Sequence, residues 1–182
     1  AFPSGPWPPP CMPLIAAAIA ALRDWRKAPC SGSLRHVDEK SQIAALERVS
    51  RLLDRPYARD FFRLELVRLE RGCVELAIAN RPELGHRPGA FQGAITTALG
   101  ESAASWSALT LIPADWNSLT LEQSIHFTGP AEGERLIAVG SVLSPGRSIS
   151  VCRAEIVCEK NGVRHPCGTM TQTNRHMPPR GS

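Results

Sequence analysis

The chain has 182 residues, 43% hydrophobic and 21% charged, with a formal net charge of +4. That length fills one good core of about 120 to 150 residues plus extensions. Lys and Arg are scattered, and four Trp, one Tyr and five Phe are too few for a basic aromatic nucleic-acid platform; a small anionic ligand suits the mild positive balance.

Six cysteines (Cys11, Cys30, Cys73, Cys152, Cys158, Cys167) form no CxxC pair and have no His set at zinc-ligand spacing. No metal is expected. Several fall inside strand patterns, where Cys acts as a small apolar residue, so they read as reduced thiols of a cytoplasmic protein.

Residues 1–10 carry five prolines and exclude regular structure there. Met12 to Trp25 reads as a short Ala-rich helix, its apolar run too short to span a bilayer. No membrane role is expected. Residues 1–33 are thus a Pro-rich segment with an extension helix, ended by the Ser31–Ser33 linker. Val37 to Leu53 is a charged amphipathic helix with Ile43, Ala44, Leu46, Val49, Leu52 and Leu53 at helical spacing, stopped at Pro56.

From Asp60 the period becomes two. Phe62, Leu64 and Leu66, then Val74, Leu76 and Ile78, predict a hairpin turning at Arg71-Gly72. A Gly/Pro loop with His86 follows, and a helix is expected from near Phe91. Ile95, Leu99, Ser102, Ala103 and Trp106 line its apolar face. Thr96, Thr97, Gly100, Ala104 and Ser105 leave the other faces lean, as suits a helix approached by backbone on several sides.

Four strands follow, at Leu119–Phe127, Leu136–Leu143, Ser148–Glu159 and Val163–Thr173, with turns rich in Pro, Gly and Asn. A loose tail is expected from Asn174. The domain reading is therefore one domain over 34–174 and a flexible 175–182. Strands joined by short turns pair antiparallel, and a helix needing cover on nearly all sides must be enclosed by their sheet. The predicted fold is α+β, a curved antiparallel sheet wrapped around one long central helix.

Residues 56 to 174 resemble the hotdog-fold acyl-CoA thioesterases of the phenylacetate-pathway (PaaI-like) and 4-hydroxybenzoyl-CoA type. In that family an Asn or Gln precedes a His-Gly-Gly by six residues, and an Asp or Glu follows that His by nine. The same spacing here gives His86, Gln92-Gly93-Ala94 and Glu101. Leu119–Glu122, Ile125–Gly133 and Gly146-Arg147-Ser148 resemble the later strand and turns. Two positions depart from the pattern: Gln92 stands where the family has His, and His86 where it has Asn or Gln.

Thioester hydrolysis needs a donor for the developing oxyanion and a base or nucleophile. A helix N-terminus supplies free N–H groups, and a glycine lets the carbonyl approach without a Cβ in the way. The Gly93 amide is the expected donor and Glu101 the base or nucleophile, with Gln92 and His86 orienting substrate or water. Thr97 and Ser105 flank the carboxylate as water-orienting candidates, and Arg147 and Arg153 are candidates for the phosphates of coenzyme A. Eight residues of helix separate Gly93 from Glu101 by about 12 Å, too far for one chain to serve one carbonyl. Two antiparallel helices across a homodimer, alone or paired as a tetramer, would bring them together, as the resemblance implies. No cofactor is expected beyond coenzyme A as part of the substrate. Two alternatives remain at this point: a hotdog dehydratase or hydratase of 3-hydroxyacyl thioesters, and a non-catalytic acyl-CoA-binding protein.

Overall fold

The computed structural model describes residues 39–179. Helix α1 (Glu39–Arg51) buries Ala45, Leu46 and Val49 at the expected spacing. Its Arg48 reaches across to the carbonyls of Pro113 (2.9 Å), Ala114 (3.2 Å), Trp116 (2.5 Å) and Leu109, which leaves this guanidinium half-buried and lowers its pKa to about 10. Desolvation is the cause. The bonds fill carbonyls that no helical turn would satisfy.

The alternation from Asp60 does not begin a strand. After a 3-10 turn at Leu52–Asp54, residues Tyr57–Phe62 wind as a π-helix that ends where Arg63 turns left-handed at φ 51 and Leu64 N–H bonds the Ala58 carbonyl at 2.8 Å. Phe61 and Phe62 meet edge-on at 4.9 Å, a contact that successive strand residues on opposite faces cannot make.

Six strands then form one antiparallel sheet: β1 (Glu65–Glu70), β2 (Cys73–Ala79), β3 (Asn117–Phe127), β4 (Arg135–Ser144), β5 (Ile149–Lys160) and β6 (Val163–Met177). Their order is β1-β2-β4-β5-β6-β3. Helix α2 (Gly93–Leu109) enters between β2 and β3 in sequence and packs on β2, β3, β4, β5 and β6. This is the hotdog fold. Burial runs around α2 instead of along one stripe, through Ile95, Thr96, Leu99, Gly100, Ser102, Ala103, Ala104, Trp106, Ser107 and Ala108. Its lean composition is explained at Gly140 of β4, where an added Cβ would stand 2.1 Å from the Ala103 carbonyl oxygen.

The tail expected loose from Asn174 is instead the end of β6, which runs to Met177 and pairs with β3 from Asn117↔Met177 onward. Asn174 and His176 point inward and are buried, so polar side chains fill the positions where an apolar alternation would have marked a strand. Strand β3 lies at the border of the sheet with Leu119, Leu121 and Phe127 more than half exposed. Cys73, Cys152, Cys158 and Cys167 are buried and unbridged. Cys11, Cys30, the Pro-rich segment and the Met12–Trp25 helix lie outside the described residues. No helix among those described is long and apolar enough to cross a membrane.

Candidate active site

The start of α2 is two residues later than the apolar spacing suggests, because Gln92 is the cap, with extended backbone at φ −72, ψ 145. Its carbonyl accepts from Ile95 (2.9 Å) and Thr96 (3.1 Å). The amides of Gly93 and Ala94 have no acceptor among the described residues and lie on an exposed turn, at the positive end of the helix dipole. The loop ahead is pinned by Phe91 N–H to the Ala131 carbonyl (2.8 Å) and Gln92 N–H to the Leu84 carbonyl (2.9 Å). Phe127 of β3 stands over Gly93, its ring edge 3.3 Å from where a Cβ would sit.

Two turns further on, Glu101 is partly buried and held by hydroxyls. Ser105, one turn along, donates to Glu101 Oε1 at 2.9 Å, and Thr120 of β3 donates to the same oxygen at 2.8 Å. Behind them Gln172 of β6 donates from Nε2 to Ser105 Oγ (2.6 Å), Thr120 Oγ1 (3.0 Å) and Asn174 Oδ1 (2.6 Å). Glu101 Oε2 accepts no hydrogen bond from the described residues. The Tyr57 phenol is raised above its ordinary value by burial, opposed by a hydrogen bond with Trp106 and reinforced by the Glu101 charge. Tyr57 therefore belongs to this neighbourhood.

An unpaired helix-leading amide and a hydroxyl-braced carboxylate are groups of the kinds that stabilise an oxyanion and accept a proton. The family model of the thioesterase superfamily matches residues 89–164, from the loop glycine past β5. The fold is the hotdog fold, and residues 89–164 are similar to the thioesterase superfamily. A thioesterase family protein of Silicibacter pomeroyi superposes with TM-score 0.71 at 26% identity, covering 74% of this chain and 99% of that one. The Escherichia coli PaaI protein of the phenylacetic acid degradation operon gives TM-score 0.65 at 12% identity, over 75% and 96% of the two chains. A thioesterase enzyme of Staphylococcus aureus gives 0.61 at 23%, over 67% and 99%. At these identities the last two speak to the fold alone. A search of curated proteins finds no match to the sequence.

Of the residues picked from the sequence, the fold brings Ser105 onto Glu101. Thr97 it does not: that hydroxyl bonds back to the Gly93 carbonyl at 2.8 Å. Gly93 and Gln92 stand at one end of α2 and Glu101 two turns inside it, separated by about 12 Å of rise. His86 is exposed on the loop before α2, beside an ion pair of Arg87 with Glu132. Arg147 is exposed in the β4–β5 turn, and Arg153 faces outward and pairs with Glu155 at 3.1 Å. His126 and His165 are exposed in their strands. A concavity of about 410 Å³ lined by Asn80, Pro88, Gly89, Glu132, Gly133, Glu134 and Lys160 contains neither Gly93 nor Glu101.

Sequence reasoning missed Thr120, Gln172 and Tyr57 as neighbours of the carboxylate. A readable signal for Gln172 was the run Gln172, Asn174, His176 at period two beyond Met170, three polar residues continuing an inward face. His176 belongs to a second buried set: Nε2 lies 2.7 Å from Ser150 Oγ and Nδ1 3.3 Å from Ser118 Oγ.

Proposed function

We propose that this chain hydrolyses acyl thioesters of coenzyme A or an acyl carrier to free acid and thiol, as a homodimer with two shared sites. The observation that carries the reading is the pairing on α2 of an unbonded Gly93 amide with a Glu101 carboxylate braced on one oxygen and open on the other. The similarity of residues 89–164 to the thioesterase superfamily supports thioester chemistry. The amide receives the carbonyl oxygen as it becomes an oxyanion. Glu101, as general base, takes a proton from the attacking water; the C–S bond breaks and the leaving sulfur takes that proton. Direct attack by Glu101 through an acyl anhydride would use the same two groups. Gln92 and His86 stand at the amide end to orient substrate, and Arg147 and Arg153 offer cations for its phosphates.

Because about 12 Å of helix separates donor from base, each site takes its amide from one protomer and its carboxylate from the other. The bordering strand β3, apolar and exposed and carrying both Phe127 over Gly93 and Thr120 on Glu101, is the edge along which a second copy would pair.

The test uses two variants. Glu101→Gln removes the base. Gly93→Pro removes the donor at a position where proline is favoured and after a Gln92 that already has the extended backbone a following proline requires, while its Cβ asks the Phe127 ring to give by a few tenths of an ångström. Each alone should release no thiol from a panel of acyl-CoAs. Mixed and re-assembled, they should recover about a quarter of wild-type sites, since half the dimers are hybrid and each hybrid holds one intact site. No recovery on mixing, or wild-type protein that hydrates unsaturated acyl-CoA without releasing thiol, overturns the reading.

A further inference from the structure

We propose that Gln172 is a positioning residue for Glu101, the group that decides which carboxylate oxygen is tied down and which meets the substrate. The inference rests on the reading of Glu101 as the reacting carboxylate. Gln172 is 2% exposed, on the inward face of β6, and its side chain bonds Ser105, Thr120 and Asn174 instead of Glu101 itself.

An ionised carboxylate only accepts hydrogen bonds, so Ser105 and Thr120 commit their single protons to Glu101 Oε1. Their oxygens are then left as acceptors, 3.3 Å apart and partly buried. Gln172 Nε2 has two protons: one points to Asn174 Oδ1 at 2.6 Å and the other is shared between the two hydroxyl oxygens, at 2.6 Å from Ser105 and 3.0 Å from Thr120. Turned over, the amide would set its carbonyl oxygen against two hydroxyls whose protons are already spent. The charge on Glu101 thus fixes the orientation of the Gln172 amide, and the amide in turn fixes the direction of both hydroxyls. Oε1 is saturated and Oε2 is left open.

The residue is not there for its own satisfaction. Gln172 Oε1 and Asn174 Nδ2 are buried without partners among the described residues, an expense that an apolar side chain of the same shape would avoid. What the fold obtains is a carboxylate whose plane is set before substrate arrives.

Gln172→Met keeps length and burial and removes the donor. We expect kcat to fall about tenfold or more with KM nearly unchanged, as for an interaction that serves the reacting geometry. In a Ser105→Ala/Thr120→Val background, where the hydroxyls are gone, Gln172→Met should have no further effect, whereas a role in packing alone would stay additive. Gln172→Glu, same in shape but an acceptor, should lose at least as much as Gln172→Met. A readout free of turnover is the side-chain carboxyl ¹³C signal of Glu101, assigned by its loss in Glu101→Gln; it should move in Gln172→Met. An unchanged kcat, an undiminished effect in the hydroxyl-free background, or an unmoved carboxyl signal overturns the proposal. If the wild-type protein cleaves no thioester, the hydrolase reading falls, and the carboxyl signal alone decides the role of Gln172.

Discussion

Replacing Gly140 by alanine tests the enclosure of α2 directly. Gly140 lies in mid-sheet, paired with Val74 of β2 and Ala154 of β5, so β4 cannot retreat without straining two ladders. The new Cβ would stand 2.1 Å from Ala103 O, 2.2 Å from Ala103 C and 2.6 Å from Ala104 N. Ordinary carbon contacts need about 3.5 Å, so helix and sheet must part by roughly 1 Å or more. Overpacking costs about 1–3 kcal/mol, and the upper end applies because the obstacle is peptide backbone with no rotamer to change. At 2–4 °C per kcal/mol for a chain of this size, the melting midpoint should fall by about 6–12 °C. Gly162→Ala is the control: nothing lies within 4 Å of its Cβ, and only the positive φ of 74 is charged against it, at about 1 kcal/mol. Thermal melts of the two, run together by circular dichroism, decide. A Gly140→Ala midpoint no lower than that of Gly162→Ala would refute the close approach of α2 and β4.

Two further outcomes follow from buried groups. Burial first, and the charge of Arg48 second, hold His176 below its ordinary value of 6.5. Its contribution to stability is then complete above pH 6.5 and lost as pH falls through the lower folded value. Melting midpoints should drop between pH 7.5 and 5, and His176→Gln should flatten that drop; an identical acid slope would clear His176 of responsibility. Burial also pushes the Cys152 and Cys167 thiols up to about 11 and Cys158 to about 12. A Cys11→Ser/Cys30→Ser protein should therefore react with a thiol dye at pH 8 only after denaturation, and rapid labelling while folded would contradict the described core.

Much of this arrangement was legible in the amino-acid order. Strand β5 alternates cleanly because one of its faces is buried against α2, whereas β2 is buried on both faces, and Arg71-Gly72 and Lys160-Asn161-Gly162 mark turns by residues that accept positive φ. Glu101 stood out as the single carboxylate on a lean helix, and Ser105 fell on the same face one turn later. The π-helical Tyr57–Phe62 stretch was hidden because three alternating apolar residues suit either a strand or a wide turn, and only the Phe61–Phe62 contact separates them. The end of β6 was hidden for a different reason. Gln172, Asn174 and His176 face inward to meet other polar groups, so hydrophobicity, the usual marker of an inward face, vanishes where the buried hydrogen bonds begin. Thr120 could not be tied to Glu101 by spacing, because β3 is carried past β4 and β5 to the far side of β6 before the two meet.

That displacement of β3 ties the margin of the sheet to Glu101. The same eleven residues form that margin and, through Thr120, brace the Glu101 carboxyl group. A molecule seated along this margin would bear directly on the Thr120 side of that grip, so the edge of the sheet and the setting of Glu101 are mechanically one feature.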